Sequence, residues 1–233
     1  MAYSNKHKIV LQAIVHEGLL IENKIQDLII KLFGDNRVSV IINQINEQLQ
    51  PLNMLIKKAQ CEITGKLYWV LISTTLNEVT RYQTEFSKDQ LALLRTMFSE
   101  IITSRNGCIQ STICLNLCSS LDIKMSKAGA EKFLEDIVNR KWLIYKDGYY
   151  YMGVRSITEL MPYFRATYEN NLNTCCLCKQ VIFHVCYSYL ICFFHKFTMV
   201  HTHVNCPNCS TVVSDIDLSG IQDDLAVPEE GYK

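Results

Sequence analysis

Residues 130–152, AEKFLEDIVNRKWLIYKDGYYYM, carry two hydrophobic patterns in succession. In the first half, apolar residues recur at intervals of three and four, which is the spacing of one face of a helix: Ala130, Phe133, Leu134, Ile137 and Val138. In the second half, two apolar and aromatic runs flank Asp147-Gly148, a dipeptide that favours the tight turn of a β-hairpin. The stretch therefore predicts a helix that is followed directly by a hairpin.

Further helices are predicted on both sides of this stretch. Ser87 is a suitable N-cap for a helix that ends before Asn106-Gly107, and a shorter helix is predicted from Ile109 to Leu117. Three helices followed by a hairpin is the element order of a winged-helix domain. After the hairpin, one exit helix is predicted from its apolar stripe of Ile157, Leu160, Met161 and Phe164.

The first third of the chain repeats this order without obvious residue identity. Two helices are predicted before Gly34, the first over residues 8–20 with an apolar stripe of Ile9, Ala13, Ile14, Leu19 and Leu20. A third helix is predicted from Val38 to Leu49, and a hairpin around Thr64-Gly65. The expected fold class is therefore α+β and multidomain, beginning with tandem winged-helix domains.

The charge balance argues against broad electrostatic binding. The chain has 23 lysines and arginines and 23 aspartates and glutamates, so the whole chain gives no signal for nucleic acid or membrane. The predicted helix around Phe133 carries lysines and arginines interleaved with Glu131, Glu135 and Asp136, a mixture that favours a solvated face or protein contact over phosphate binding. No apolar run approaches the roughly 20 residues that cross a bilayer, and the start lacks a secretory signal. We expect the cytoplasm or nucleus.

Cysteine and histidine are concentrated between residues 175 and 209. Seven of the eleven cysteines and four of the six histidines lie in this window: Cys175, Cys176, Cys178, Cys186, Cys192, Cys206, Cys209, His184, His195, His201 and His203. In a reducing compartment such clusters indicate metal sites before disulfides. The other four cysteines lie in apolar surroundings and are expected to be small buried side chains: Cys61, Cys108, Cys114 and Cys118.

The spacing in this window predicts bound zinc. Two Cys-x-x-Cys pairs bracket it, and such a pair presents two sulfurs to one tetrahedral ion without strain. In a cross-braced arrangement the first ion is held by Cys175, Cys178, Cys192 and His195, and the second by His184, Cys186, Cys206 and Cys209. His201 or His203 can replace a ligand of the second ion, so the choice among these histidines stays open. Cys176 is expected to be a spare.

These observations divide the chain into four segments. The predicted boundaries are 1–84 and 85–170 for the winged-helix domains, 171–213 for a zinc-bound, RING-like domain, and 214–233 for an acidic tail that is expected to be disordered. Signatures of hydrolases, kinases and zinc proteases are absent from the sequence.

At this point the chain resembles the family of non-structural maintenance of chromosomes element one, the RING-like subunit of the Smc five/six complex. EKFLEDIVNRKWLIYKDG followed by RSITELMPYFRATY resembles the family's second winged helix and exit helix. The run from Cys175 to Lys179, which ends in CLCK, and Cys206-Pro-Asn-Cys209 resemble the ends of its variant RING. This chain departs from the family at the second and third ligand pairs, where it has Cys186 with Tyr189 and Cys192 with His195.

The resemblance implies a RING-type ubiquitin ligase subunit with no catalytic nucleophile of its own. It implies a MAGE-type partner, a kleisin partner and a ubiquitin-conjugating enzyme, with a role in recombinational DNA repair in the nucleus. Leu177 and Pro207 are then expected to form the apolar platform for the conjugating enzyme. Because Ser210 and no cation follows Cys209, the expected activity is weak and partner-dependent.

Two other functions compete with this hypothesis. One is a non-enzymatic assembly module, in which the winged helices and zinc only build a complex. The other is a DNA-binding regulator, which predicts salt-sensitive affinity for duplex DNA and fits the neutral charge balance least well.

Overall fold

The computed structural model describes residues 3–74, 86–120, 125–174 and 181–183. The described part of the chain is a mixed α+β structure with two successive modules and a short terminal hairpin. Within these ranges, none of the helices combines the length and the apolar character that a membrane crossing requires. The predicted acidic tail, 214–233, and the predicted boundary between residues 84 and 85 lie outside the described residues, and the division into domains stays a prediction.

The N-terminal module (residues 3–74) contains three helices and a three-stranded antiparallel sheet: α1 Asn5–Glu17, β1 Leu19–Ile21, α2 Glu22–Phe33, α3 Val38–Leu49, β2 Met54–Gln60 and β3 Leu67–Ser73. The strand order is β1-β3-β2, which places β3 in the centre. Helix α2 ends at Gly34, whose positive φ of 78° lets its N–H donate to the carbonyl oxygen of Ile30. The apolar faces of the three helices pack on one face of the sheet.

The second module (residues 86–168) repeats this order and adds two helices: α4 Lys88–Thr103, β4 Cys108–Gln110, α5 Ser111–Ser120, α6 Lys127–Asn139, β5 Leu143–Lys146, β6 Tyr149–Met152, α7 Val154–Glu159 and α8 Met161–Tyr168. Its sheet has the order β4-β6-β5. The hydroxyl oxygen of Ser87 accepts the Gln90 N–H at the start of α4, and that of Ser126 accepts the Gly129 N–H at the start of α6. The predicted cap at Ser87 is confirmed.

Both predicted hairpins are confirmed as well. Asp147 and Gly148 have φ values of 52° and 82°, the positive values that a two-residue hairpin turn requires at both positions. The register pairs Tyr145 with Tyr150 and Leu143 with Met152. In the N-terminal module, β2 and β3 pair from Met54 to Gln60, and Gly65 has a φ of 69° in the connection.

Two short strands were predicted wrongly as helix. Gly18, with a φ of 76°, ends α1, and Leu19 and Leu20 then pair with β3 as part of β1. Ile109 likewise belongs to β4 and pairs with Tyr150. Strands of three residues show no measurable alternation, so their apolar residues merge with the stripe of the neighbouring helix. The predicted stripe was also wrong at Ile9, which is 44% exposed, because Val10 and Ile14 are the residues that α1 buries in the core.

The central strand β3 is buried on both of its faces. Trp69 and Leu71 pack in the core of the N-terminal module. Tyr68 and Val70, which point the other way along the strand, pack in a second cluster that includes Val154 of α7. We call this cluster the shared core; its buried members are Leu19, Cys61, Ile63, Tyr68, Val70 and Val154. The two modules are therefore joined by a common apolar interior.

The predicted exit helix is divided into α7 and α8, which meet at Leu160. Helix α7 begins after Gly153, which lies against the segment that precedes β5. The Gly153 N–H donates to the Trp142 carbonyl oxygen at 2.9 Å. A Cβ atom added to Gly153 would lie 2.2 Å from the Lys141 carbonyl oxygen and 2.4 Å from the Trp142 carbonyl carbon. Only glycine permits this approach of two backbones.

Replacing Gly153 with alanine is expected to destabilise the protein by about 2 kcal/mol, because the added Cβ must push two backbone segments apart. The loss is measured as a reduced free energy of unfolding in denaturant titrations of the full chain. Gly129→Ala is the matched control, since its Cβ would meet side-chain atoms at 3.2 Å or more. Equal stability of the two variants would contradict the close packing at Gly153.

Candidate functional site

The predicted zinc ligands and the predicted platform residues lie outside the described residues. These are Cys175, Cys178, His184, Cys186, Cys192, His195, Cys206 and Cys209 for the metal, and Leu177 and Pro207 for the conjugating enzyme. The structure does describe the residues on both sides of the first cysteine pair. They are Asn173 and Thr174 on one side and residues 181–183 on the other.

These flanking residues form a terminal hairpin. Strand β7, Asn173–Thr174, pairs antiparallel with β8, Val181–Ile182, and Thr174 lies opposite Val181. Residues 175–180, which include Cys175 and Cys178, connect these two paired positions. A Cys-x-x-Cys pair that binds zinc sits in a short loop whose ends are close together. The terminal hairpin therefore fits a metal-binding pair at this place in the chain.

The terminal hairpin is packed into the second module. Val181, Ile182 and Phe183 are all buried, and Val181 and Phe183 belong to the core of that module. The ring of Phe183 meets the ring of Phe164 of α8 edge to face, with centroids 5.4 Å apart. The Phe164 ring in turn contacts the ring of Phe98 of α4, with centroids 5.3 Å apart. This row of three aromatic rings connects the start of the predicted zinc module to the helical core.

The terminal hairpin also contacts the N-terminal module. The Phe183 backbone N–H donates to both carboxylate oxygens of Glu62, at 3.1 Å and 3.3 Å. Glu62 lies in the connection between β2 and β3, next to Cys61 and Ile63 of the shared core. A hydrogen bond to a carboxylate is stronger than one between neutral groups. Phe183 thus has its side chain fixed by one module and its backbone by the other.

A buried ion pair lies where the two modules meet. Arg155 and Glu159 of α7 are each under 10% exposed, and Arg155 Nε lies 2.6 Å from Glu159 Oε1. The Arg155 guanidinium stacks over the Trp142 ring, with its central carbon 4.3 Å from the ring centroid. A Cβ atom at Gly18 of the N-terminal module would lie 3.4 Å from the same guanidinium. Paired charge, aromatic stacking and the small size of Gly18 together accommodate the buried arginine.

The remaining four cysteines lie within the two modules, away from the cysteine window. Cys61, Cys114 and Cys118 are buried and Cys108 is half-buried. Burial raises the pKa of the Cys114 thiol to about 12, and it also raises the pKa of Cys108 and Cys118. Burial therefore disfavours the thiolate form, which is the form that binds zinc. In the described ranges, no group of three or more potential ligand side chains is arranged to hold a metal ion.

Comparison with known proteins identifies the family. A family model described as "Nse1 non-SMC component of SMC5-6 complex" matches residues 7–160. The chain belongs to the Nse1 family. The match spans most of both modules and ends before the cysteine window, and it confirms the resemblance seen in the sequence.

Individual relatives agree with this assignment. The protein named non-structural maintenance of chromosomes element 1 homolog from Xenopus laevis is 31% identical over 186 residues, covering 76% of this chain and 69% of that protein. The human homolog is also 31% identical, over 184 residues with the same coverage. The Schizosaccharomyces pombe element 1 protein is 25% identical over 215 residues, covering 89% of this chain and 91% of its own.

A solved structure supports the fold of this Nse1-family chain. The match is to a chain of the structure named "Nse1-Nse3-Nse4 complex", with a TM-score of 0.73 and 29% sequence identity. It covers 91% of this chain and 97% of that chain. This chain therefore has the same mixed α+β architecture as that solved structure.

Sequence reasoning missed the residues that connect the modules. Glu62, Arg155 and Phe183 are far apart in sequence, and no local pattern links them. One signal was available in β3, where LYWVLI at 67–72 is an unbroken apolar run. A strand that is apolar on both sides of the chain is typical of burial on both faces, and it predicts a partner for the outer face of the sheet.

Replacing Glu62 with alanine is expected to leave the Phe183 N–H without a hydrogen-bond acceptor. The loss of a charge-assisted hydrogen bond of about 1.5–3 kcal/mol should accelerate amide exchange at Phe183 by at least about tenfold. Hydrogen–deuterium exchange of the full chain measures this rate. Glu62→Gln keeps a carbonyl acceptor and should show a smaller effect; an unchanged rate in Glu62→Ala would contradict the anchoring role of Glu62.

Proposed function

We propose that the chain is the Nse1 subunit of an SMC5-6 complex and promotes ubiquitin transfer through a zinc-bound, RING-like module. The family match supports membership of the complex. The solved relative is a chain of a complex with Nse3 and Nse4, which supports a MAGE-type and a kleisin partner for this chain. A subunit of this complex acts in the nucleus, where recombinational DNA repair takes place.

The repeated element order supports tandem winged helices. Each module has a helix, a short strand, two helices and a hairpin, and each short strand pairs with the second strand of its hairpin. Strands β1 and β4, where the sequence predicted helix, complete this arrangement. We assign residues 3–74 and 86–152 as the two winged-helix folds, with α7 and α8 as the connection to the terminal hairpin.

The observation that carries the proposal is the position of the terminal hairpin. Its paired ends flank Cys175 and Cys178, and Phe183 fixes it to both modules. In the proposed site, Cys175, Cys178, Cys192 and His195 would hold one zinc ion, and His184, Cys186, Cys206 and Cys209 would hold the other, with His201 or His203 able to replace a ligand of the second ion. Bound zinc supplies structural cross-links in such a module and takes no chemical part in ubiquitin transfer.

The proposed mechanism is positioning. A RING ligase binds the conjugating enzyme that carries ubiquitin and holds the thioester in a reactive geometry, without a nucleophile of its own. Leu177 and Pro207 would provide the apolar contact with that enzyme. Positioning requires a stable angle between the module and the body that binds the other subunits. The contacts of Phe183 with Phe164 and Glu62 are suited to maintain that angle.

A non-enzymatic assembly module is the second candidate. The shared core joins the two modules, and the buried Arg155–Glu159 pair lies beside it; two joined modules suit a scaffold as well as a ligase. The two functions predict different effects of a substitution at Leu177. A ligase loses conjugating-enzyme contact when this side chain is shortened, and a scaffold keeps its partners and loses nothing.

Leu177→Ala is expected to slow ubiquitin discharge by about tenfold or more, the usual effect of removing an apolar anchor from an interface. The rate is measured with the full chain, bound to its Nse3-type and Nse4-type partners, against a panel of ubiquitin-charged conjugating enzymes. The variant should retain its partners and its zinc content, determined by elemental analysis.

Two further variants make this measurement decisive. Gln180→Ala changes another residue of the 175–180 connection, and this variant should discharge ubiquitin at the wild-type rate. Cys186→Ser should lower the zinc content from two ions to about one and reduce discharge with it. Wild-type rates in both Leu177→Ala and Cys186→Ser would reject the ligase and leave the assembly module.

A further inference from the structure

We propose that a groove on the second module binds a basic, amphipathic segment of a partner protein. The groove has a volume of about 250 Å³ and lies between α5, α6 and the β5–β6 hairpin. We call it the acidic groove. This proposal goes beyond the proposed ligase function and stands whether or not the chain promotes ubiquitin transfer.

The interior of the acidic groove is apolar. Leu134 is buried at its floor, and Leu115 and Val138 are half-buried beside it. Tyr145 and Tyr150 form one wall, with ring centroids 5.0 Å apart, and Tyr145 is 51% exposed. The volume is below the range of about 300–1,000 Å³ that is typical of small-molecule sites. It suits a bulky apolar side chain that anchors a peptide.

The rim of the acidic groove carries two carboxylates that form no ion pair within the described part of the chain. Glu131 and Glu135 lie one turn apart on α6, and both are exposed. Within the described ranges, no lysine or arginine lines the groove. The adjacent Asp136 differs, because it pairs with Arg140 at 3.3 Å. Glu131 and Glu135 are therefore available to a cation from outside.

The complementary ligand is a peptide with an apolar anchor flanked by lysine or arginine. Arginine suits the site particularly well, because its guanidinium can pair with Glu131 or Glu135 while it stacks on the exposed Tyr145 ring. A nucleic acid is the wrong ligand for this face, since its phosphates would approach two carboxylates. A partner segment with i, i+3 or i+4 spacing of its apolar residues would present the anchor and the cations together.

Selection from a phage library of random twelve-residue peptides on the immobilised full chain tests the proposal. The enriched sequences are expected to contain a bulky apolar residue flanked by lysine or arginine. Synthetic peptides of these sequences, measured by fluorescence anisotropy, should bind at least about tenfold more weakly to Glu131→Lys/Glu135→Lys and to Tyr145→Ala. Glu169→Lys, an exposed charge reversal outside the groove, should bind them as the wild type does.

Three results would overturn the proposal: enriched peptides without basic residues, equal binding to the wild type and to the groove variants, or displacement of the peptides by duplex DNA. Thermal unfolding serves as the folding control, and these surface substitutions should change the Tm by no more than about 4 °C. Should the double variant unfold, Glu135→Lys alone provides the same comparison.

Discussion

The burial of β3 on both faces is the constraint on which the rest of the structure depends. A strand of a small domain normally faces solvent on one side. On the outer face of β3, however, Tyr68 and Val70 pack against Val154 of the second module. Apolar burial of this kind contributes about 25 cal/mol per Å² removed from water. Neither module can separate from the other without exposing this surface.

The other contacts between the modules extend from the shared core. Arg155 and Glu159 are buried beside it, and they are tolerable there only as a pair, since one buried charge without its partner is strongly destabilising. Glu62, in the β2–β3 connection, accepts the Phe183 N–H from the terminal hairpin. The orientation of the hairpin therefore depends on the same interface that holds the modules together. Any positioning function of the downstream residues depends on it as well.

Elements with strong local signals could be predicted from the sequence. The hairpin at Asp147-Gly148 and the cap at Ser87 involve neighbouring residues, and the structure confirms both. Strands β1 and β4 have only three residues each and form through pairing with distant strands, so their residues were assigned to helices. The family was recognised from local motifs. The roles of Glu62 and Phe183 are beyond such reasoning, because their contact spans 121 positions.

Unfolding followed separately at the two tryptophans tests most directly whether the modules form one cooperative unit. The chain has two tryptophans, Trp69 in the first module and Trp142 in the second, so 5-fluorotryptophan gives one fluorine resonance for each. In guanidinium titrations of the full chain, both native resonances should disappear with the same midpoint, as coincident probes do in two-state unfolding. Different midpoints for Trp69 and Trp142 would contradict a shared core that couples the modules.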